Sequence, residues 1–338
     1  MHLAVDAMGG DAGPAATVAG SLQALAENPQ LQITLFGEQS RLTPFLNTAD
    51  AQRLLAADRL ALHSCTQIIA DDDRPSRVLR DKVDASMARA VELHAAGAYD
   101  GCVSAGNTGA LLALGCRWLE TFPGIDRPAL CTAAPTVDGH VWLLDMGANL
   151  ECSDLHLYQF ALMGHQLARL VDGNDAPRLA LLNIGSEAGK GPAVVRKAAD
   201  RLAADPGLNF QGYIEGDGLF TGTVDVVVCD GFAGNLALKA SEGVARTFAG
   251  ALSAELKSSW RTRIGAWLCL PVLRRFAARI DPGRYNGAPL LGLHGVVVKS
   301  HGGAGAAEFA AAIHVAAAQV STGLPAALAQ VFAGIQDQ

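Results

Sequence analysis

Short apolar runs, each followed by a loop of Gly with Asp, Asn, Lys or His and then by apolar residues at helical spacing, recur six times along the chain. That order is the strand, loop and helix unit of a parallel sheet. The runs are 3–5, 101–103, 141–144, 179–184, 224–229 and 295–298. Helices are predicted from Pro14, to about residue 120 after the second run, over 154–170 after the third, from Pro192 after the fourth and through 248 after the fifth. Two Ala-rich helices follow the sixth. Pro14 and Pro192 suit a helix start, where a missing N–H leaves no bond unmade. Runs such as Val226-Val-Val228 are what strands buried on both faces look like. The pattern therefore predicts an α/β fold, a three-layer α/β/α sandwich with a mainly parallel sheet. Residues 40–75 are less regular, but no linker divides 1–338. Ligands in open parallel sheets bind beyond the carboxyl ends of the strands, so all six loops are expected on one edge. Glycine N–H groups and helix N-termini there favour an anion such as phosphate.

Composition narrows this picture. With 338 residues, 50% hydrophobic and 17% charged, the chain can bury a large core and is not disordered. A net charge of −7 disfavours nucleic acid as a partner. The seven cysteines are scattered and form no C-x-x-C pair, which argues against a disulfide framework and a zinc site and fits a reducing cytoplasm. No metal site or cofactor is expected. The start, Met1-His-Leu-Ala-Val-Asp6, lacks a basic region, so no signal peptide is predicted. The uncharged stretch between Glu308 and Asp337 carries His314, Gln319, Ser321, Gly323 and Pro325, a polarity that predicts packed helices and not a membrane span.

One segment breaks the pattern. Between Leu256 and Ile280 lie Lys257, Arg261, Arg263, Arg274, Arg275 and Arg279 with no acidic residue, interleaved with Trp260, Ile264, Trp267, Leu268 and Phe276 and interrupted by Pro271. This composition suits an amphipathic helix pair on an anionic bilayer. It equally suits packing on a second subunit, and an acidic protein is a third possible partner. Residues 251–284 are accordingly expected as a basic helical protrusion from a single catalytic unit.

The loops carry the candidate chemistry. Gly185, Gly189, Lys190 and Gly191 do not make a nucleotide P-loop, which needs four residues between its glycines and Ser or Thr after Lys; Lys190 is an anion clamp or a solvated loop lysine. Gly303-x-Gly305-x-x-Glu308 fails the dinucleotide fingerprint. Asp230 and Asn235 are either site groups or an Asx turn with a helix cap. His301, between strand and helix, is a candidate proton donor or phosphate ligand. No Gly-x-Ser-x-Gly elbow supports a serine nucleophile, and Cys229, ending a buried strand, reads as an inert thiol.

Several blocks in this order, Asp6-Ala-Met-Gly-Gly-Asp11, Ser104-Ala-Gly-Asn-Thr-Gly-Ala-Leu111, Arg127-Pro-Ala129, Gly147-Ala-Asn149, Gln159-Phe-Ala-Leu-Met-Gly164, Leu182-Asn-Ile-Gly185, Lys190-Gly191, Asp225 through Asn235 and Gly287-Ala-Pro-Leu-Leu-Gly292, resemble the PlsX family. These are phosphate acyltransferases of bacterial phospholipid synthesis, and the match runs from residue 1 to about 318. The resemblance implies a fold similar to phosphotransacetylase and the isocitrate dehydrogenase group. It implies transfer of a fatty acyl chain from acyl carrier protein to inorganic phosphate, giving acyl phosphate for a glycerol-3-phosphate acyltransferase. A homodimer, cytoplasmic and peripherally membrane-associated through a helical tip, is implied as well.

On that basis Lys190 and Asp230 are expected to be catalytic. Asp6, Gly9, Gly10, Asp11, Asn107, Thr108, Asn149, Asn183, Gly185, Glu187, Asn235 and His301 are expected to bind substrate. Lys257 through Phe276, as named above, are expected to meet membrane or carrier. The chain departs from the family at Gly303, where Ser is usual, and at Asn286, where Gly is usual. The alternatives are an acyl-CoA-using phosphotransacetylase-like enzyme and a non-catalytic membrane-attached scaffold for lipid enzymes.

Overall fold

Valine- and leucine-rich runs with no polar face can be satisfied only inside a sheet covered on both sides, and the fold is built around one such sheet. The computed structural model describes residues 1–187, 189–280 and 282–336. The first half runs β1 (His2–Asp6), α1 (Pro14–Glu27), β2 (Gln32–Gly37), α2 (Gln39–Leu46), α3 (Ala49–Ala56), β3 (Leu60–Ser64), α4 (Pro75–Asp81), α5 (Ser86–Ala95), β4 (Gly101–Ser104) and α6 (Thr108–Trp118). The second runs β5 (Ala129–Thr136), β6 (Gly139–Leu144), α7 (Asp154–Val171), β7 (Arg178–Leu182), α8 (Ala193–Ala204), β8 (Asn209–Ile214), β9 (Val226–Val228), α9 (Gly231–Lys257) and α10 (Trp260–Ile280). The chain then returns through β10 (Ala288–Leu291) and β11 (Val296–Lys299) to α11 (Ala306–Thr322) and α12 (Leu324–Gln336).

All six predicted strands form, as β1, β4, β6, β7, β9 and β11. Among the described residues the sheet has 11 strands in the order β3-β2-β1-β4-β11-β10-β5-β6-β9-β7-β8. From β3 to β11 the neighbours are parallel, as they are from β6 to β8. Between these blocks, β11 with β10, β10 with β5 and β5 with β6 are all antiparallel. Three successive reversals leave the two parallel blocks running in opposite directions. The expectation of six loops on one edge is therefore corrected. The loops after β1, β4 and β11 leave in one direction and those after β6, β7 and β9 in the other, but the register sets Val298 level with Leu144 and Val228, so the two sets start at the same level of the sheet, across the antiparallel strands from each other. The cause is the pair of strands β5 and β10, whose sequences Ala-Leu-Cys-Thr-Ala-Ala-Pro-Thr and Ala-Pro-Leu-Leu carry no helix-linked repeat.

Packing clusters on both faces hold the layers. On one face Phe309, Ile313 and Ala316 of α11 lie with Leu3, Val5 and Val298, and Phe160, Met163 and Leu167 of α7 with Leu144, Val226 and Val228. On the other, Met87 and Val91 of α5 and Leu111 and Leu114 of α6 lie with Ala4, Cys102 and Val297. Burying a side chain of this size contributes about 1.5–3 kcal/mol.

The helix predicted to end at 248 continues to Lys257. It breaks at Ser258 and Ser259 and turns into α10. The two helices pack on each other, with Leu256, Ala266, Leu270 and Leu273 half-buried and their outer faces exposed. Pro271 does not interrupt the segment; it sits inside α10, where its missing N–H frees one carbonyl of a helix that is largely in contact with solvent. Among the described residues no single helix is long and apolar enough to cross a membrane.

Candidate active site

The loops after β6, β9 and β7 form one set, because these strands are neighbours and in register. Leu144 and Leu181 both lie opposite Val228, so Asp145, Asn183 and Asp230 emerge side by side. Asp145 is fully buried and accepts from the N–H groups of Leu130 (3.0 Å), Ala148 (3.1 Å) and Asn149 (2.6 Å) and from Asn149 Nδ2 (2.9 Å). Burial pushes its carboxyl up, opposed by these four bonds. Asn149 also donates to Pro128 O at 2.9 Å, so both of its amide hydrogens serve the loop. Its own carbonyl accepts from Gly231 N at 2.7 Å. Glycine is required at 231, since a Cβ would lie 2.7 Å from Asn149 O and 2.9 Å from Gly147 Cα.

Asp230 is the N-cap of α9, its Oδ1 accepting from Ala233 N at 2.7 Å, which is the cap reading of that residue. One turn on, Asn235 is exposed and faces the Gly147 backbone. Asn183 donates to Gly185 O and Lys190 O, each at 3.1 Å, and its Oδ1 is buried without a partner. It thereby folds the 183–191 loop back on itself and lays the Lys190 side chain over Gly185. Lys190 Nζ pairs with Glu187 Oε2 at 2.8 Å, and this contact holds the exposed Glu187 carboxyl below its usual range. The ion-pair partner of Lys190 is therefore Glu187. Of the four asparagines singled out in sequence, Asn107, Asn149 and Asn183 brace loops, and Asn235 alone is exposed.

The other set joins the loops after β1, β4 and β11. Asp6 is buried and accepts from Ser86 Oγ and Ser104 Oγ, both at 2.6 Å, and from Met8 N at 3.2 Å. Burial raises its carboxyl against these bonds. Gly9 lets two loops touch, because a Cβ there would lie 2.5 Å from Gly106 N. Gly10, at φ 86°, turns the chain so that Asp11 N donates to Gly302 O at 2.8 Å. Asn107 caps α6, whose first residue is Thr108, by accepting from Ala110 N, and its Nδ2 holds Asp71 O at 2.7 Å. His301 is exposed. Its Nδ1 accepts from Gly303 N at 3.1 Å, which leaves Nε2 to carry the proton of the neutral ring.

Sequence reading marked Asn286 only as a departure from the family pattern and gave no role to Ser86, Ser104, Asp145 or Lys299. Asn286 braces the His301 loop, donating to Ser300 Oγ at 2.8 Å and Glu308 O at 2.7 Å and accepting from His301 N at 2.9 Å. Lys299 is buried; Nζ donates to Ala105 O at 3.1 Å and to Ser300 O. Burial pushes its amine down to about 8, against the pull of Asp71, Asp6 and Asp11 and with a small push from Lys239. The signal in the sequence was a lysine directly closing the apolar run Val296–Val298. Lys239 lies on α9 one turn beyond Asn235, close enough for its charge to act on Lys299. Cys229 is buried, and burial with Asp145 and Asp230 beside it pushes its thiol well up.

The residues of the basic segment from Lys257 to Phe276 that were assigned to membrane or carrier are all exposed. Arg261 lies over the Trp260 ring, 5.3 Å from its centroid. The side chain of Arg279 lies outside the described residues.

The family described as "Fatty acid synthesis protein" matches residues 1–327. Among curated proteins, the "Phosphate acyltransferase" of Methylococcus capsulatus is 47% identical over 323 residues, covering 96% of this chain and 94% of the relative. That of Pseudomonas paraeruginosa is 50% identical over 323 residues, covering 96% and 95%. Among solved structures, a phosphotransacetylase from Streptococcus pyogenes aligns with a TM-score of 0.62 at 18% identity, over 95% of this chain and 94% of that one. A branched-chain phosphotransacylase from Enterococcus faecalis aligns at 0.56 and 14%, over 95% and 99%. These two structures show a shared fold. The extent and identity of the sequence matches show that the chain belongs to the PlsX family of phosphate acyltransferases.

Proposed function

We propose that this acyltransferase moves a fatty acyl group from acyl carrier protein to inorganic phosphate, making the acyl phosphate that a glycerol-3-phosphate acyltransferase consumes in phospholipid synthesis. The observation that carries the proposal is the Lys190 loop, held by Asn183 and set beside the capped start of α9 with Asn235 exposed on it. Cation, amide and helix N-terminus together suit two oxyanions, the phosphate and the tetrahedral intermediate.

Phosphate is already an oxyanion near neutral pH and needs no nucleophilic side chain. Its oxygen bonds to the thioester carbonyl carbon, the carbonyl oxygen takes the negative charge, and the intermediate collapses by breaking the C–S bond. The carrier thiolate leaves and takes up a proton from phosphate or water. Lys190 neutralises the developing charge, Asn235 orients an oxygen, and Asp230 acts by fixing the first turn of α9.

Lys190→Ala should lower phosphate-dependent release of carrier thiol roughly 10²-fold or more. Turnover within a few fold of the parent would remove Lys190 from the mechanism. A donor comparison belongs in the same assay, since efficient use of acyl-CoA in place of acyl carrier protein would favour a phosphotransacetylase-like reaction. Absence of acyl phosphate with either donor would leave a non-catalytic scaffold. The exposed basic and aromatic face of α10 supports peripheral contact with an anionic membrane or the acidic carrier, and the same unpartnered helices support a homodimer.

A further inference from the structure

The loops that surround Lys190 and Asn235, and the first turns of α9, carry large apolar side chains that are mostly exposed. Leu150 is 66% exposed, Ile184 76%, Phe232 63% and Leu236 59%. Each is tied to a site residue by the chain or by a bond. Leu150 follows Asn149, whose carbonyl binds Gly231 N, and Phe232 follows Gly231. Ile184 follows Asn183, on the strand paired with the one that leads to Phe232. Leu236 stands one helical turn above Phe232 and next to Asn235, so the two present a common face. Adjacent strands lie about 4.8 Å apart, so the three loop ends form an apolar rim around a polar centre, and its face on α9 continues through the exposed Val244, Phe248 and Leu252. Contiguous exposed apolar groups rimming polar ones mark a binding surface, and a ligand with an anionic head and a hydrocarbon tail would satisfy both parts.

We infer that Phe232 and Leu236, flanked by Leu150 and Ile184, seat the hydrocarbon of the acyl group and set the preference for its length. The inference rests on the reading of this site as the one that forms acyl phosphate. The head lies on the Lys190 and Asn235 loops, and the chain runs outward over the first two turns of α9.

The test compares butyryl and palmitoyl donors on the full chain, in the parent and in Phe232→Ser, Leu236→Ser and the double variant. All these side chains are exposed, so the fold should survive, and a thermal melt checks it. Each methylene removed from water is worth roughly fourfold in affinity. The palmitoyl-to-butyryl ratio of kcat/KM should therefore fall by roughly tenfold or more in the double variant, with Phe232→Leu falling less. A second readout needs no turnover: alkyl phosphonates of matching lengths should bind the parent more tightly as the chain lengthens, and this dependence should flatten in the double variant. An unchanged ratio, or an equal loss for both donors, overturns the inference. An equal loss together with a change in oligomeric state by light scattering would assign the rim to a second copy instead. If the parent makes no acyl phosphate, the proposed function falls while the phosphonate series still decides whether a chain-binding rim exists.

Discussion

At the scale of single residues, the polar groups that build the site fall into braces and exposed groups. Asn149, Asn183 and Asn107 spend their amides on backbone carbonyls, because a loop that turns sharply at a strand end leaves carbonyls with no ladder partner. Asn286, where the family usually has Gly, is a brace of the same kind with three bonds. Asn286→Ala should lower stability by about 2 kcal/mol in urea unfolding, at the net value of such bonds; an unchanged midpoint would show that solvent replaces them. Lys299 gives a pH signature. Its amine holds a proton in the folded state only up to about 8, against an ordinary 10.5. Between these values the unfolded chain binds more protons, so stability rises with pH by up to ~3 kcal/mol. Buried thiols such as Cys65, raised by burial, pull the other way above their ordinary range. The difference between the parent and Lys299→Met isolates the lysine. Denaturant unfolding between about pH 8 and about pH 10 should show the parent gaining on the variant, and parallel curves would contradict the buried-amine assignment.

At the scale of elements, α9 does most to organise the molecule. Its capped start belongs to one set of loops, the charge of its Lys239 acts on the buried Lys299 of the other, and its far end leads into α10. On α10, Trp260, Ile264, Trp267, Leu268, Val272 and Phe276 recur at three- and four-residue spacing and are exposed, an apolar stripe with arginines beside it. Replacing Trp260 and Trp267 together by Ser should abolish co-flotation with vesicles rich in anionic lipid, and salt should weaken the parent's association. Unaltered flotation would leave the stripe to subunit packing, and reversed charges at Arg261 and Arg274 that raise the Michaelis constant for the carrier would assign it to that acidic protein.

At the scale of the whole molecule, the two parallel blocks of strands run in opposite directions and are joined by an antiparallel centre. The net charge of −7 is an average over an acidic body and a basic helical extension, so whole-chain charge says little about the surface that meets a membrane or carrier. The sheet continues without a break across the β11, β10, β5 and β6 strands.

The sequence by itself determined what depends on short-range pattern: which runs become buried strands, which loops carry Gly, Asn and Lys, where proline opens a helix, and that residues 257–276 form a basic, Trp-bearing surface. These follow from periodicities of two and 3.6 residues and from local backbone chemistry. Tertiary structure alone decided the direction of the strands, because antiparallel pairing through β5 and β10 depends on partners far away in sequence. It also decided which polar groups are used up as braces. Asn149 and Asn235 look alike in a sequence, and only the carbonyls and carboxylate that close around the first separate a buried strut from an exposed amide.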